Sequence, residues 1–193
     1  MVLTPQLLLS AYCEGIFPMA HEDGRIYWYD PDPRAVIPLD DFHVPRRLAR
    51  IVRMGVFEVR VDTAFTAVMQ ACAAPADGRE TTWISPEFVR AYTDLHRRGF
   101  AHSVECWQDG RLVGGLYGVS VQGLFAGESM FSLAPNASKV ALVHLVERLR
   151  CGGFQLLDTQ FMTEHLRQFG TIEISAAAYK RQLAQVLLIT AKF

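Results

Sequence analysis

Two polar side chains near the end of a short apolar segment are the first candidates for chemistry. Asp158 and Gln160 follow Leu156 and Leu157. Because the two polar residues are two apart, they face the same side of a strand, about 6.6 Å from each other along the backbone. A carboxylate accepts protons, and a carboxamide both donates and accepts hydrogen bonds, so the pair could act on one reacting centre. The alternative is that both residues begin a loop and cap the next helix, and the pattern favours neither.

Two other segments place unusual side chains where the pattern calls for core residues. Glu128 lies in the middle of an apolar strand, next to Gly127, a residue that permits close approach of another backbone. This carboxylate belongs either to a site or to a buried ion pair. Trp83 precedes the predicted start of a helix at Ser85, and it is either a core residue or a platform on which a base stacks.

Four arginines on one predicted helix indicate a local basic surface. Arg46, Arg47, Arg50 and Arg53 lie mostly on one face of the helix predicted at 45–54, and they either contact phosphate groups or form a solvated face. The whole chain carries 19 Lys and Arg against 20 Asp and Glu, a formal charge of −1. That balance argues against a uniformly basic nucleic-acid binder, so any nucleic acid would be held by a local patch.

Several common classes of site leave no mark on the sequence. No P-loop, dinucleotide-binding glycine pattern or G-x-S-x-G motif occurs, which argues against phosphate transfer, hydride transfer and a serine nucleophile. The histidines never fall at metal-ligand spacing, and we expect no metal site. Cys13, Cys72, Cys106 and Cys151 lie far apart, so we expect four reduced thiols. No apolar run is long enough for a membrane span and no Lys or Arg precedes Arg25, so we expect no membrane contact and a cytoplasmic protein.

The elements that must position these residues form an α+β pattern. Thr4 as N-cap, Pro5 in the first turn and Gly15 as the stop predict a short first helix. Further helices are predicted at 45–54, 62–74 (with Asp62 as its cap), 85–99, 136–152, 163–169 and 176–188, and strands at 35–39, 56–61, 101–108, 111–121, 124–131, 154–158 and 171–174. A meander followed by strands around a helix predicts a mixed sheet with helices on its faces. The proline-rich turn at 29–34 predicts a boundary between a small N-terminal domain, residues 1–34, and a second domain, residues 35–193.

Eight motifs in fixed order resemble those of the leucyl/phenylalanyl-tRNA–protein transferase family, and the resemblance covers residues 7–179. They are Gly-Ile-Phe-Pro at 15–18, Pro-Asp-Pro-Arg-Ala-Val at 31–36, Thr-Trp-Ile at 82–84, His-Ser-Val-Glu at 102–105, Leu-Val-Gly-Gly-Leu-Tyr-Gly-Val at 112–119, Gly-Glu-Ser-Met-Phe-Ser at 127–132, Asn-Ala-Ser-Lys at 136–139 and Asp-x-Gln at 158–160. The resemblance implies a small N-terminal α+β domain followed by a GNAT-like domain, as in Fem-type peptidyltransferases. It also implies a cytoplasmic enzyme that needs no metal, acetyl-CoA or other cofactor.

The reaction implied by the resemblance is aminoacyl transfer to proteins. Leu or Phe, less readily Met, passes from Leu-tRNA or Phe-tRNA to the α-amino group of a protein that begins with Arg or Lys, which marks that protein for degradation by the N-end rule pathway. An aminoacyl ester is already activated, so its aminolysis needs a free amine in line and a stabilised oxyanion rather than a covalent enzyme intermediate. The absence of a nucleophilic triad motif is consistent with this chemistry.

The resemblance also assigns roles to individual residues. Gln160 binds and orients the amine, while Asp158 polarises this arrangement and accepts or relays the proton, a task that the tRNA 2′-hydroxyl could share. The residues that match the acyl pocket, its wall and its adenosine platform are Met19, Trp83, Leu116, Gly127, Glu128, Leu145 and Leu157. Met19 stands where the family commonly has Trp, and Ile174-Ser175-Ala176 replaces a common Ile-Pro-Arg. Glu128 and Glu164 are the candidates for contact with the basic first residue of the acceptor.

Two other functions fit parts of the pattern. One is a related GNAT-type transferase that uses another aminoacyl-tRNA or an acyl-CoA. The other is a non-enzymatic RNA-binding module that uses the arginines of residues 46–53, which would bind tRNA without forming product. The presence of Glu128, Asp158 and Gln160 together argues against the second.

Overall fold

The computed structural model describes residues 3–21, 23–75 and 82–193. Their helices are α1 (Pro5–Glu14), α2 (Arg46–Arg53), α3 (Phe65–Ala73), α4 (Pro86–Arg97), α5 (Ala137–Cys151), α6 (Glu164–Arg167) and α7 (Ala176–Val186). Their strands are β1 (Phe17–Ala20), β2 (Ile26–Tyr29), β3 (Arg34–Ile37), β4 (Glu58–Val61), β5 (Ala101–Gln108), β6 (Arg111–Val121), β7 (Leu124–Ser132), β8 (Leu156–Gln160) and β9 (Ile172–Ile174). In this part of the chain, none of the helices combines the length and apolar character that crossing a membrane requires.

A seven-stranded sheet organises the fold, in the order β4-β5-β6-β7-β8-β3-β9. Neighbouring strands run antiparallel except β7 and β8, which are parallel and are connected through α5. The meander predicted for β5, β6 and β7 is present, with the Asp109-Gly110 turn between the first two. The predicted α+β class, a mixed sheet with helices on its faces, is therefore confirmed.

Helices cover both faces of the sheet. Successive side chains of the central strands point to opposite sides, so each strand contributes to two buried clusters. On β6, Leu116 packs on the side of α5, while Tyr117 packs on the side of α1, α3 and α4. The apolar stripe predicted for α5 is buried against the sheet, as Leu142 and Leu145 show. The site described below lies at one end of the sheet, between these layers.

The N-terminal segment packs onto the second layer. Helix α1 has the predicted caps: the Thr4 hydroxyl accepts from the backbone N–H of Leu7, and Gly15 adopts φ 80°. Strands β1 and β2 form a separate two-stranded antiparallel sheet. Tyr12 of α1 and Phe17 of β1 nevertheless belong to the same buried cluster as the residues of α4 and β6.

The start of α3 differs from the prediction. Asp62 does not cap this helix, because its carboxylate accepts from the backbone N–H of Ser103 and contacts His102. Glu105, on the neighbouring strand β5, accepts instead from the backbone N–H groups of Thr63 and Ala64 at 3.0 and 2.9 Å. The prediction was wrong because Asp62 bonds to β5 instead, and α3 begins after Ala64 with no side-chain cap.

Candidate active site

The site is a cleft of about 490 Å³ where β7 and β8 part. Their pairing ends at Ala126 and Asp158, although β7 continues to Ser132 and β8 to Gln160. Eight of the residues predicted from the sequence line the cleft: Met19, Trp83, Leu116, Gly127, Glu128, Leu145, Leu157 and Gln160. Residues from the N-terminal hairpin, the sheet and α5 are thus brought together at one opening.

Two β-bulges aim side chains into this opening. In the β6–β7 pair, Tyr117 lies opposite Ser129 and Gly118 opposite Gly127, so that Glu128 is the extra residue. In the β3–β8 pair, a similar irregularity precedes Gln160, whose φ of 63° is rare for a residue other than glycine. A bulge bends a strand and redirects its side chains, which explains how both polar groups reach the same cleft wall.

Glu128 and Gln160 form the polar part of the cleft. The Nε2 of Gln160 donates to Glu128 Oε1 at 2.9 Å, and the Tyr12 hydroxyl donates to the same oxygen at 2.7 Å. Because the Tyr12 proton is used in this way, the Tyr92 hydroxyl donates to Tyr12 at 2.6 Å. The pKa of Glu128 is raised to about 8, chiefly by burial and also by the negative charge of Asp158, while the hydrogen bonds from Tyr12 and Gln160 oppose the shift.

Asp158 lies behind the cleft rather than in its wall. Its side chain is 0% exposed, and its Oδ1 accepts from Arg34 Nε at 2.9 Å and from the backbone N–H of Gln160 at 2.8 Å. Its Oδ2 accepts from the second Arg34 nitrogen at 2.6 Å and from the Tyr179 hydroxyl at 2.9 Å. The expectation that both polar side chains of the strand reach one centre is therefore corrected. The bulge turns Gln160 into the cleft, while the normal alternation of β8 leaves Asp158 facing α7.

Arg34 is the counter-charge of Asp158 and is itself 1% exposed. Its remaining guanidinium nitrogen donates to the carbonyl of Gly15 at 2.9 Å, and its planar head lies over the rings of Phe17 and Tyr179. One buried cation thus connects the end of α1, the start of β1, strand β8 and α7. Two sequence signals mark Arg34: its charge at the edge of an apolar strand and its place in the motif at 31–36.

Leucine side chains form the apolar part of the cleft. Leu116 of β6, Leu142 and Leu145 of α5 and Leu157 of β8 line it. Leu116, Leu142, Leu145 and Leu157 are each no more than 3% exposed, so the pocket is preformed by the core and does not depend on mobile surface side chains.

Aromatic residues border the mouth of the cleft. Trp83 stands edge-on to Phe88, with ring centroids 5.4 Å apart, and it remains partly exposed to the cleft. Phe161, 43% exposed, follows Gln160 and lies edge-on to Phe17. A second opening shares Met19, Trp83 and Phe161 with the first, so the mouth continues beyond the cleft itself.

Two polar atoms in the cleft lining have no hydrogen-bond partner among the described residues, the Tyr117 hydroxyl and His165 Nε2. Buried polar groups are normally paired, so each of these atoms offers a hydrogen-bond position to a bound water. Burial, with the nearby charge of Lys139, lowers the pKa of His165. Neither residue was predicted, because nothing in the local pattern distinguishes a Tyr or His that faces a cleft from one in a core.

The other predicted residues lie outside the cleft. Arg46, Arg47, Arg50 and Arg53 are all exposed on α2. Glu164 is 88% exposed and pairs with Arg167 at 3.3 Å.

Comparisons with known proteins find relatives over nearly the whole chain. The family model described as leucyl/phenylalanyl-tRNA protein transferase matches residues 36–184, and the model of its N-terminal domain matches residues 1–32. A leucyl/phenylalanyl-tRNA–protein transferase of Herpetosiphon aurantiacus is 62% identical over 192 residues, 99% of this chain and 98% of the relative. One of Paramagnetospirillum magneticum is 56% identical over 193 residues, 99% of this chain and 92% of the relative. Among solved structures, L-PGS from Bacillus licheniformis aligns with 88% of this chain and 58% of its own, at 14% identity and a TM-score of 0.46.

Proposed function

The chain belongs to the leucyl/phenylalanyl-tRNA–protein transferase family, and we propose that its cleft is where the aminoacyl ester meets the acceptor amine. The protein is an aminoacyltransferase that moves Leu or Phe from aminoacyl-tRNA to proteins beginning with Arg or Lys, in the N-end rule pathway. The observation that carries the proposal is the gap between β7 and β8, whose lining combines apolar side chains with the hydrogen-bonded pair Glu128 and Gln160. Such a gap can enclose the side chain of the aminoacyl group and place hydrogen-bonding groups next to the ester carbonyl that the amine attacks.

Gln160 orients the amine. Its Nε2 is held by Glu128, which fixes the rotation of the carboxamide and leaves Oε1 to accept a hydrogen bond from the incoming amino group. Because the ester is already activated, placing the amine in line with the carbonyl supplies much of the catalysis.

Asp158 acts through Gln160 as a positioning residue. Its two oxygens already accept four hydrogen bonds, and an ionised carboxylate offers about four such acceptor positions. The geometry therefore supports a role in holding the backbone of Gln160 in its unusual conformation. It does not support the earlier expectation that Asp158 itself takes the proton of the amine.

Substrate selection follows from the shape of the cleft. Leu116, Leu145 and Leu157 form a pocket that suits a γ-branched or flat side chain, and a β-branched side chain would clash near its Cβ. Trp83 stacks against the terminal adenine, a contact of about 1–3 kcal/mol in proteins that bind single strands. Met19 contributes an aliphatic wall beside it.

The arginines of α2 contact tRNA phosphates outside the cleft. Their exposure and the neutral total charge of the chain support a small number of such contacts. Because aminoacyl-tRNA is a cytoplasmic substrate, we place the enzyme in the cytoplasm. We also retain the division into residues 1–34 and 35–193, which the separate sheet of β1 and β2 supports.

A transfer assay tests the function. Purified protein is incubated with Leu-tRNA, Phe-tRNA or Arg-tRNA and a peptide that begins with Arg, and the product is identified by mass. We expect one added Leu or Phe, no added Arg, and no product from the same peptide with an acetylated N-terminus. Binding of tRNA without any product would favour the RNA-binding module, and addition of Arg alone would favour a related transferase.

A further inference from the structure

Among the described residues that line the cleft, Glu128 is the one carboxylate placed to receive a proton from the acceptor; Asp158 lies behind the lining. We propose that Glu128 is a further catalytic residue, whose carboxylate takes a proton from the α-ammonium group while Gln160 holds the nitrogen. This inference rests on the proposed function, because it concerns the amine that the cleft receives. It assigns the proton to an oxygen in the cleft wall, where the substrate can reach it.

The position of Glu128 supports this role. The bulge in β7 directs its side chain into the cleft, and only one of its oxygens, Oε1, receives the hydrogen bonds from Tyr12 and Gln160. A nitrogen bound to the carboxamide of Gln160 lies next to the carboxylate that the same carboxamide contacts. Asp158, in contrast, is enclosed by Arg34, Tyr179 and the backbone of Gln160.

The surroundings of Glu128 are suited to proton exchange near neutral pH. The groups that act on it come from every neighbouring element: Tyr12 on α1, Arg34 on β3, Tyr92 on α4, Tyr117 on β6, and Asp158 and Gln160 on β8. Burial, the largest influence, raises the pKa of Glu128 to about 8. A protein α-amino group has a pKa of about 7.7–8.0, so the proton moves between the two groups at little cost.

The proposed step conserves atoms and charge. The α-ammonium gives one proton to the Glu128 carboxylate and becomes a free amine, whose lone pair attacks the ester carbonyl carbon. The new C–N bond forms as the carbonyl oxygen becomes an oxyanion, and collapse of this intermediate breaks the bond to the 3′-oxygen of the terminal adenosine. That oxygen leaves with a proton from the attacking nitrogen, and Glu128 returns its own proton to solvent.

The pH dependence of steady-state transfer tests the inference. With Glu128 as the base, kcat/KM for the peptide needs the ionised carboxylate and the ammonium form together, so the wild-type profile is bell-shaped with its maximum near pH 8. Glu128→Gln keeps an oxygen to accept from Tyr12 and Gln160 but removes the base. We expect its rate at pH 7 to fall by about 100-fold or more and its profile to rise to a plateau with the pKa of the free amine.

Two further variants separate catalysis from structure. Tyr12→Phe removes a hydrogen bond that lowers the pKa of Glu128, so the acidic limb of the profile should move to higher pH. Glu147→Gln, at an exposed acid on α5, is the matched control and should leave the profile unchanged.

The outcomes are distinct. A bell-shaped profile that persists in Glu128→Gln would overturn the inference. So would a variant that loses affinity for the Arg-peptide while its kcat and profile stay as in wild type, since Glu128 would then bind the acceptor's basic side chain. In either case Leu transfer by the wild-type protein still supports the proposed function, whereas a wild-type protein that forms no product refutes both.

Discussion

Replacing Asp158 with Asn should remove the charge that balances Arg34 in the interior. The two side chains are 0% and 1% exposed and are joined through two contacts of 2.9 and 2.6 Å. Loss of one partner of a buried pair leaves an uncompensated charge, which costs about 3–5 kcal/mol of unfolding free energy. For a chain of this size that corresponds to a fall in Tm of about 6–20 °C.

The assay is a double-mutant cycle read by thermal denaturation. Arg34→Met alone should destabilise the protein to a similar degree, because it leaves Asp158 unpaired. The double variant Arg34→Met, Asp158→Asn contains neither charge, so its loss of unfolding free energy should be about 2–3 kcal/mol smaller than the sum of the single losses. Glu58→Gln breaks the exposed ion pair with Arg60 and serves as the control, with a Tm equal to that of wild type.

The same variants report on the site. Because Asp158 holds the backbone of Gln160, Asp158→Asn should lower kcat for transfer more than it raises KM for either substrate. A Tm within about 2 °C of wild type for both single variants, or losses that simply add in the double variant, would refute the account of this pair as a buried, coupled support.

Four other results are expected. Trp83→Ala should raise KM for aminoacyl-tRNA about 5- to 100-fold with little change in kcat. An unchanged KM would indicate that Trp83 is a core residue that does not stack against adenine. Leu145→Phe should narrow the pocket and reduce Phe transfer more than Leu transfer, whereas an equal reduction would contradict the placement of the side chain there. Arg47→Gln and Arg50→Gln should each reduce the salt slope of tRNA affinity by about 1, while Arg111→Gln, an equal charge change, should not. Glu128→Gln should raise Tm relative to wild type at pH 9 but much less at pH 5. The wild-type carboxyl has a pKa raised to about 8 in the fold, so the protein loses stability as the pH rises from the unfolded value of 4.5 to about 8; a difference independent of pH would contradict that pKa.

Local chemistry made much of the fold predictable. The caps of α1 and α4 and the turn between β5 and β6 depend on neighbours in sequence, such as Thr4, Ser85 and Asp109-Gly110, and they lie where the pattern placed them. The resemblance also predicted which residues line the cleft, because the residue types and the order of the motifs match those of the family.

Other features depend on contacts that the sequence pattern does not contain. Arg34 and Asp158 are hydrogen-bonded although they are 124 residues apart in the sequence, and Tyr12 and Glu128 although they are 116 residues apart. The alternation of a strand predicts one direction for Asp158 and Gln160, but a bulge set by pairing with β3 changes it. The directions of Glu128 and Gln160 therefore depend on two separate bulges, one in the β6–β7 pair and one in the β3–β8 pair.

A crystal structure with a stable 3′-amide analogue of phenylalanyl-adenosine tests the central claim most directly. The claim is that the gap between β7 and β8 receives the aminoacyl group. The account predicts the phenyl ring among Leu116, Leu145 and Leu157, the adenine against Trp83, and the carbonyl carbon beside Gln160. A ligand bound with its phenyl ring outside this gap, or with its carbonyl group beyond reach of Gln160, would contradict the account.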